Sequence, residues 1–162
     1  MTIEIRDADE DDLSTIQRVL YEAVGWDPGR ELSPLEVTVE LPQLAIYHHG
    51  WGRHGDIGVI AEDEGETIGG ALCRLFTEEE HGEGFHDEQT PELGVAVWEG
   101  HRGKGVGVKL IEALELRAVD AGFETMSLSV EAANPASRLY ERLGYRVVAD
   151  RDDDLLMLKT LT

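Results

Sequence analysis

Apolar and polar positions recur in short blocks along the first part of the chain. Residues 2–6 alternate between polar and apolar side chains, which predicts a β-strand. Acidic residues follow, and apolar side chains then recur at helical spacing over residues 13–24, which predicts a helix with an acidic start. Ser33 and Pro34 are typical of an N-cap and a first helical position, so a second helix is predicted from there to Pro42.

The rest of the chain contains two further helical patterns and six apolar runs of strand type. The helical patterns cover residues 105–122, with one apolar stripe that ends at a glycine, and residues 135–143, which begin with a proline and end before Gly144. The runs of strand type are residues 57–62, 67–76, 92–97, 125–130, 145–149 and 155–158. This alternation of strands and helices predicts a mixed α/β sheet with helices packed on it.

Two segments lack either pattern. Residues 45–56 are irregular and rich in histidine, glycine and tryptophan, and residues 77–90 are so acidic that we predict a solvated loop there. No repeat or linker divides the 162 residues, so one domain is expected over residues 1–162. No run of eighteen apolar residues and no signal peptide supports membrane insertion or secretion, and a cytoplasmic protein is expected.

The charge of the chain is extreme. It carries 34 acidic and 14 basic residues, for a net charge of −20. Such a balance disfavours binding to nucleic acid or to an anionic membrane. Two explanations compete: an acidic surface adapted to a salty cytoplasm, or attraction for cationic substrates. We favour the first, a halophilic acidic proteome, because the acidic residues are spread along most of the chain.

A glycine-rich turn joins a predicted strand to the helix that follows it. Gly103, Gly105 and Gly107 stand at alternate positions, with Arg102 and Lys104 before the first two. Such a turn leaves backbone N–H groups uncrowded beside a helix N-terminus, where they can hold an anionic phosphate group. The alternative is a tight turn whose glycines serve its geometry alone.

The spacing in this turn excludes two common nucleotide sites. Arg-x-x-Gly-x-Gly differs from the Gly-x-Gly-x-x-Gly fingerprint of dinucleotide-binding domains. Lys104 is followed by Gly105, whereas a nucleoside triphosphate loop has serine or threonine after its lysine. A nucleotide-binding protein is therefore not predicted.

A second motif runs from Asn134 to Tyr145 and reads Asn-Pro-Ala-Ser-Arg-Leu-Tyr-Glu-Arg-Leu-Gly-Tyr. Leu139 and Leu143 are four residues apart, so both are predicted to pack against the sheet. Tyr140 lies beside that face, where its hydroxyl can reach a cleft, and the amide of Asn134 can contact a ligand. The alternative is a capped helix with a packed tyrosine.

Together the two motifs, over residues 92–148, resemble the GNAT family, the general amine N-acetyltransferases. The resemblance implies an α/β (α+β) fold with a mixed, mostly antiparallel central sheet of about seven strands and helices on both faces. It also implies that strand 92–97 splays from strand 125–130, and that acetyl-CoA inserts into the cleft between them.

The same resemblance implies the cofactor contacts. The pantetheine arm would pair with the strand backbone, the pyrophosphate would lie on the amides of the glycine turn, and the asparagine of the second motif would contact either part. The cofactor-binding residues implied are Val95, Ala96, Val97, Arg102, Gly103, Lys104, Gly105, Val106, Gly107 and Asn134.

Acetyl transfer by direct attack in a ternary complex needs a neutral amine, a donor for the oxyanion and a way to release thiolate. A backbone N–H near Val95 is the natural oxyanion donor. The resemblance suggests Tyr140 as the acid toward the sulfur, although a phenol of pKa about 10 gives up its proton to a thiolate of pKa about 8.5 only uphill. Glu92 could accept the ammonium proton, directly or through a water, or could be a surface carboxylate.

The acceptor pocket is expected from the N-terminal half of the chain and from residues 45–56. Its candidate lining residues are Trp26, Tyr47, His48, His49, Trp51 and His54. The histidines have no established ligand spacing, so no metal site is predicted. Cys73 lies in an apolar run and is predicted to be a small core residue.

The leading hypothesis is therefore an acetyl-CoA-dependent N-acetyltransferase that acts on a small-molecule or peptide amine. No nucleic acid, membrane or metal partner is expected, and a homodimer stays open. The alternative is a catalytically silent acyl-CoA-binding module that serves as a sensor or interaction domain. Retention of Tyr140 favours the enzyme.

Overall fold

The computed structural model describes residues 2–161 and contains a seven-stranded sheet. The strands are β1 (Ile3–Asp7), β2 (Ile57–Asp63), β3 (Glu66–Arg74), β4 (Glu92–Val97), β5 (Thr125–Glu131), β6 (Arg146–Asp150) and β7 (Asp154–Thr160). Their order across the sheet is β1-β2-β3-β4-β5-β7-β6, and every neighbouring pair is antiparallel except β4 and β5. The predicted mixed, mostly antiparallel sheet is confirmed.

Helices cover both faces of this sheet. They are α1 (Leu13–Val24), α2 (Leu35–Thr38), α3 (Pro42–Ala45), α4 (Val106–Asp120) and α5 (Ala136–Arg142), with a short 3₁₀ turn (Glu10–Asp12) before α1. Strand β3 shows the division, since Ala71 and Cys73 belong to the core under α4 while Leu72 packs with Ile16 and Val19 of α1. This alternation follows from the two-residue period of a strand. Cys73 is buried, as predicted.

The predicted second helix is two short helices. Helix α2 ends at Thr38, and Leu41 is extended (φ −62°, ψ 138°) before α3 begins at Pro42. The residue before a proline is disfavoured in the helical region, so one continuous helix to Pro42 was the wrong prediction. Ser33 is also not the N-cap, because Pro34 occupies that position and no side chain caps the helix.

The acidic segment before β4 is only partly a solvated loop. Gly84 and Thr90 are buried, which contradicts the prediction for these residues. The Ser127 hydroxyl donates to the Gly84 carbonyl at 2.6 Å, and the hydroxyls of Thr90 and Thr125 share a hydrogen bond of 2.5 Å. Residues without bulky side chains at these points let the loop backbone pack on β4 and β5.

None of the helices within residues 2–161 combines the length and the apolar character that crossing a bilayer requires.

Candidate active site

Strands β4 and β5 separate from a single point of contact. They are parallel, and one residue pair joins them, Glu92 with Ser127. Beyond that pair, Val95, Ala96 and Val97 stay paired to β3 on their other edge. Backbone groups of a strand point alternately to its two edges, so this part of β4 directs N–H and C=O groups into the gap toward β5. The predicted splay is therefore present.

Two cavities open on this gap. The first cavity, of about 490 Å³, lies between β4, the glycine turn and α5. The second cavity, of about 550 Å³, lies between the end of α1, the loop after it, β4 and β5. Val95, Ala96, Val97, Arg102 and Tyr140 line both cavities, so the two spaces meet along β4 and at the tyrosine.

The glycine turn adopts a backbone that its sequence allows. Gly103 (φ +76°) and Gly105 (φ +80°) are left-handed, and Gly105 is the N-cap residue of α4. Residues of the first turn of α4 line the first cavity, and no side chain among residues 2–161 caps this helix start. Such a helix start carries the positive end of the helix dipole, which suits an anion.

The predicted cofactor-binding residues do not all lie in the same place. Seven of them besides Arg102 line the first cavity: Val95, Ala96, Val97, Gly103, Gly105, Val106 and Gly107. Lys104 is exposed and does not line it, and Asn134 lines the second cavity instead. The Arg102 side chain turns back to its own strand, where Nε donates to the Val97 carbonyl at 2.8 Å.

Helix α5 places Tyr140 at the junction of the cavities. The Asn134 side-chain oxygen accepts from the Ala136 N–H at 2.9 Å in the turn before α5, whose N-cap residue is Pro135. Gly144 (φ +101°) ends the helix, and the Tyr145 N–H donates to the Tyr140 carbonyl at 3.0 Å. The Tyr140 hydroxyl has no hydrogen-bond partner among the described residues, and burial raises its pKa to about 12.

Glu92 is buried at the narrow end of the gap. Its exposed fraction is 4 %, so a surface carboxylate is excluded. Tyr47 donates its hydroxyl hydrogen to Oε2, while Oε1 is buried without a hydrogen-bond partner within residues 2–161. Burial raises the pKa of Glu92 to about 7, the Glu83 carboxylate also raises it, and the Tyr47 hydrogen bond and the Arg151 charge oppose this rise. Glu92 is among the residues that line the second cavity.

The segment that carries Tyr47 is anchored by a buried ion pair. Arg74, fully buried at the end of β3, donates two hydrogen bonds of 2.8 Å to Asp56. It also donates to the carbonyls of Ile46 and His49 at 3.0 and 2.7 Å. We did not identify Arg74 from the sequence. A lone arginine inside an apolar strand does indicate a buried ion pair, because a buried charge needs partners.

Of the predicted acceptor-pocket residues, Trp26 and Tyr47 line the second cavity and the others do not. Trp51 packs against the core of α1, and His54 is exposed. His48 is buried and its Nε2 bonds the Val39 carbonyl at 2.8 Å, so this ring serves the fold of its own segment. For these residues the pocket assignment was wrong, because proximity in sequence did not place them on the same side of the chain.

His48, His49 and Glu40 form a cluster that could hold a metal ion, with ligand atoms within 4.8 Å of one another. Two of these groups, His49 and Glu40, are partners of each other, since His49 Nε2 lies 2.8 Å from a Glu40 oxygen. His48 Nε2 is occupied by the Val39 carbonyl. The cluster lies outside both cavities, so it has no part in the chemistry on β4.

An ion pair that the sequence did not reveal completes the second cavity. Arg30 donates to both oxygens of Glu131 at 2.9 and 2.6 Å, and Trp26 donates its indole N–H to the same carboxylate at 2.5 Å. These contacts hold the loop after α1 against the end of β5. No local pattern links residues more than 100 positions apart, so only the fold brings them together.

Comparison with known proteins agrees with this geometry. The model of the acetyltransferase (GNAT) family matches residues 20–145. The chain belongs to this family. It is 34% identical over 157 residues to the L-methionine sulfoximine/L-methionine sulfone acetyltransferase of Pseudomonas paraeruginosa, which covers 91% of this chain and 82% of that protein.

Two further relatives support the same assignment. The acetyltransferase is 30% identical over 132 residues to the L-amino acid N-acyltransferase MnaT of Escherichia coli, covering 81% of this chain and 69% of that protein. The structure of yncA from Salmonella typhimurium with its cofactor acetyl-CoA has a TM-score of 0.72 and 26% identity, covering 100% of this chain and 95% of that one. The predicted family and the predicted activity, acetyl transfer to an amine, are confirmed.

Proposed function

We propose that this acetyltransferase transfers the acetyl group of acetyl-CoA to the primary amine of a small molecule, by direct attack in a ternary complex. The observation that carries the proposal is the meeting of the two cavities along β4. Cofactor in the first cavity and amine in the second would bring thioester and nucleophile together beside Tyr140. Holding both reactants in one geometry supplies much of the acceleration of such a reaction.

The first cavity suits the phosphate and pantetheine parts of acetyl-CoA. In this proposal the pyrophosphate lies on the N–H groups from Arg102 to Gly107, where the start of α4 adds favourable potential. The pantetheine arm pairs with the free edge of β4 at Val95–Val97. Asn134 lines the second cavity, so in this proposal it contacts the cofactor only where the two cavities meet, through its NH₂ group, because its side-chain oxygen is already used within its turn. Lys104 acts through its backbone and its charge.

Tyr140 serves the leaving sulfur as a hydrogen-bond donor. Its pKa of about 12 is above the ordinary thiol value of about 8.5, so complete proton transfer to the thiolate is uphill. A late or partial transfer stabilises the developing charge without that cost. A backbone N–H near Val95 stabilises the oxyanion at the splayed part of β4.

Glu92 is the base in this proposal. A carboxyl group with a pKa of about 7 is substantially ionised at neutral pH and still basic enough to take a proton from an ammonium group. Oε1 is buried and has no hydrogen-bond partner among the described residues, so in this proposal it is the oxygen that takes the proton from an amine or a water entering from the second cavity.

Amino acids and their derivatives are the first acceptors to examine. The second cavity has a volume typical of small-molecule sites, which favours them over a folded protein. The named activities of two relatives, on methionine sulfoximine or sulfone and on L-amino acids, point to the same class.

Release of free thiol from acetyl-CoA, followed by mass spectrometry of the product, tests the proposal. The panel contains methionine sulfoximine, methionine sulfone, the common L-amino acids, aliphatic diamines and a short peptide. N-acetylation of a small amine supports the proposal. Acetylation of the peptide alone, or binding of acetyl-CoA without any acetylated product, contradicts it.

The surface acidity also has a proposed role. We propose that the protein is adapted to a cytoplasm of high salt concentration. The net charge is −20, and among residues 2–161 the only buried acidic residues, apart from Asp56 opposite Arg74, are Asp12, Glu92 and Glu115. The excess is therefore on the surface, where salt screens self-repulsion.

A further inference from the structure

The carboxyl group of Glu92 is enclosed by backbone as well as by side chains. A Cβ atom added at Gly84 would lie 2.5 Å from Cδ of Glu92 and 2.7 Å from its Cγ, so no larger residue fits there without movement. Gly82 packs in the same way on the Tyr47 hydroxyl. Two glycines of the acidic loop thus pack closely on the Tyr47–Glu92 pair.

Tyr47 is itself held in a rigid setting. Its ring packs edge-on against Phe76, with centroids 5.1 Å apart and an interplanar angle of 76°. The carbonyl of Ile46, the preceding residue, accepts from the buried guanidinium of Arg74. The hydroxyl therefore has a defined position from which to reach Glu92.

The Tyr47 hydrogen bond makes the two oxygens of the Glu92 carboxylate different. Oε2 accepts from Tyr47, and Oε1 is left without a partner among the described residues. We propose that Tyr47 is a positioning residue for the base: it fixes the carboxylate of Glu92 so that Oε1 receives the proton of the acceptor amine. This inference rests on the proposed function, in which Glu92 is that base.

The charges around Glu92 give the direction of the effect. Glu83 and burial raise its pKa, whereas the Tyr47 hydroxyl, the backbone of Gly84 and Arg151 lower it. The pKa of Tyr47 is itself far above its ordinary value, because of burial and the adjacent carboxylate, so it remains a donor at every working pH. Loss of its hydroxyl removes the side-chain hydrogen bond to this buried carboxylate and raises the pKa of Glu92.

The first experiment measures this group without catalysis. Protein labelled with ¹³C at the glutamate side-chain carboxyl is titrated by NMR, and the Glu92 signal is assigned by its loss in Glu92→Gln. In Tyr47→Phe we expect its midpoint to rise by about one pH unit or more. Tyr21→Phe is the matched control, since the Tyr21 hydroxyl bonds the Ser33 carbonyl and lies outside both cavities. An unchanged or lowered midpoint in Tyr47→Phe overturns the inference.

The second experiment measures the pH dependence of kcat/KM for the acceptor. In Tyr47→Phe the acidic limb should move upward with the NMR midpoint, giving a roughly tenfold lower rate below the limb, with KM for acetyl-CoA unchanged. If the NMR midpoint of Glu92 rises in Tyr47→Phe but the acidic limb of the kcat/KM profile stays in place, the positioning role is overturned. Glu92→Gln separates the two proposals, because a normal acidic limb in that variant removes Glu92 as the base itself. Melting temperatures establish that Tyr47→Phe, which keeps the ring on Phe76, is folded.

Discussion

Arg30 and Glu131, 101 residues apart in the chain, form a doubly hydrogen-bonded ion pair in the wall of the second cavity. The guanidinium also donates to the Val24 carbonyl at 2.8 Å, which caps the end of α1. The pair thus joins the loop after α1 to the end of β5 in the wall of the cavity where the acceptor is proposed to bind.

Arg30→Gln should loosen this loop and weaken acceptor binding. We expect KM for the amine to rise by about three- to tenfold, a loss of about 1 kcal/mol, because the loop that carries Trp26 in the wall of the second cavity loses its ion pair with Glu131. The affinity for CoA should not change. Steady-state kinetics with each substrate varied in turn checks this, with Arg146→Gln on the exposed edge of β6 as the control. An unchanged KM for the amine would contradict the role.

The pH dependence of the pair has a definite sign. The guanidinium lowers the pKa of Glu131 in the folded state. The stabilisation is therefore present above the ordinary carboxylate pKa of about 4.3 and is lost as the pH falls through the lower, folded-state value. Both side chains are partly exposed, so the contribution to unfolding free energy is small, about 1 kcal/mol or less.

Tyr140→Phe should lower kcat by more than tenfold and leave CoA binding intact. The substitution removes the hydrogen-bond donor for the leaving sulfur, while the ring still packs in the core cluster under α4. Steady-state assays of thiol release measure kcat, and calorimetric titration with CoA measures binding. Wild-type turnover in this variant would remove Tyr140 from the mechanism.

Glu92→Gln should abolish the acidic limb of the kcat/KM profile. If Glu92 is the base, the wild-type enzyme is active with its carboxylate ionised, so the rate should fall as the pH drops below about 7. An acceptor amine of high pKa, which is largely protonated at neutral pH, should show the effect most clearly. Measurement from pH 5 to 9 tests it, and a limb that survives the substitution is the contrary result.

Above pH 7, Glu92→Gln should be more stable to unfolding than the wild-type protein. The folded-state pKa of Glu92 is above its ordinary value, so its burial favours folding below the unfolded pKa and loses that benefit as the pH rises toward 7. Above pH 7 the wild type carries a buried charge that the glutamine lacks, and we expect a gain of roughly 2–3 kcal/mol in the unfolding free energy of the variant. Urea unfolding at pH 5 and pH 8 measures this difference.

Molar KCl should stabilise the protein. With a net charge of −20, self-repulsion of the folded surface is screened as the Debye length falls from about 10 Å at 0.1 M to about 3 Å at 1 M. Thermal unfolding midpoints should therefore rise steadily from dilute to molar KCl. Midpoints that do not rise would reject salt adaptation and return attention to cationic substrates.

Local patterns predicted much of the fold. The strands and the long helix α4 were found because apolar periodicity is a local property of the chain. The break between α2 and α3 was missed. A proline disfavours helical backbone at the residue before it, here Leu41, whereas we had extended the helix to Pro42 itself. The burial of Gly84 was missed because its cause is contact with β4 and β5, which no neighbour in the chain reports.

The sequence by itself determined the family and predicted a cofactor site, since the glycine turn, α4 and the motif around Tyr140 are contiguous segments with local geometry of their own. Only the tertiary structure decided the second cavity, where the acceptor is proposed to bind. Arg30 meets Glu131, and Tyr47 meets Glu92, across distant parts of the chain. Long-range contacts bury Glu92, and burial raises its pKa, so the proposed role of this residue as a base could be argued only from the folded structure.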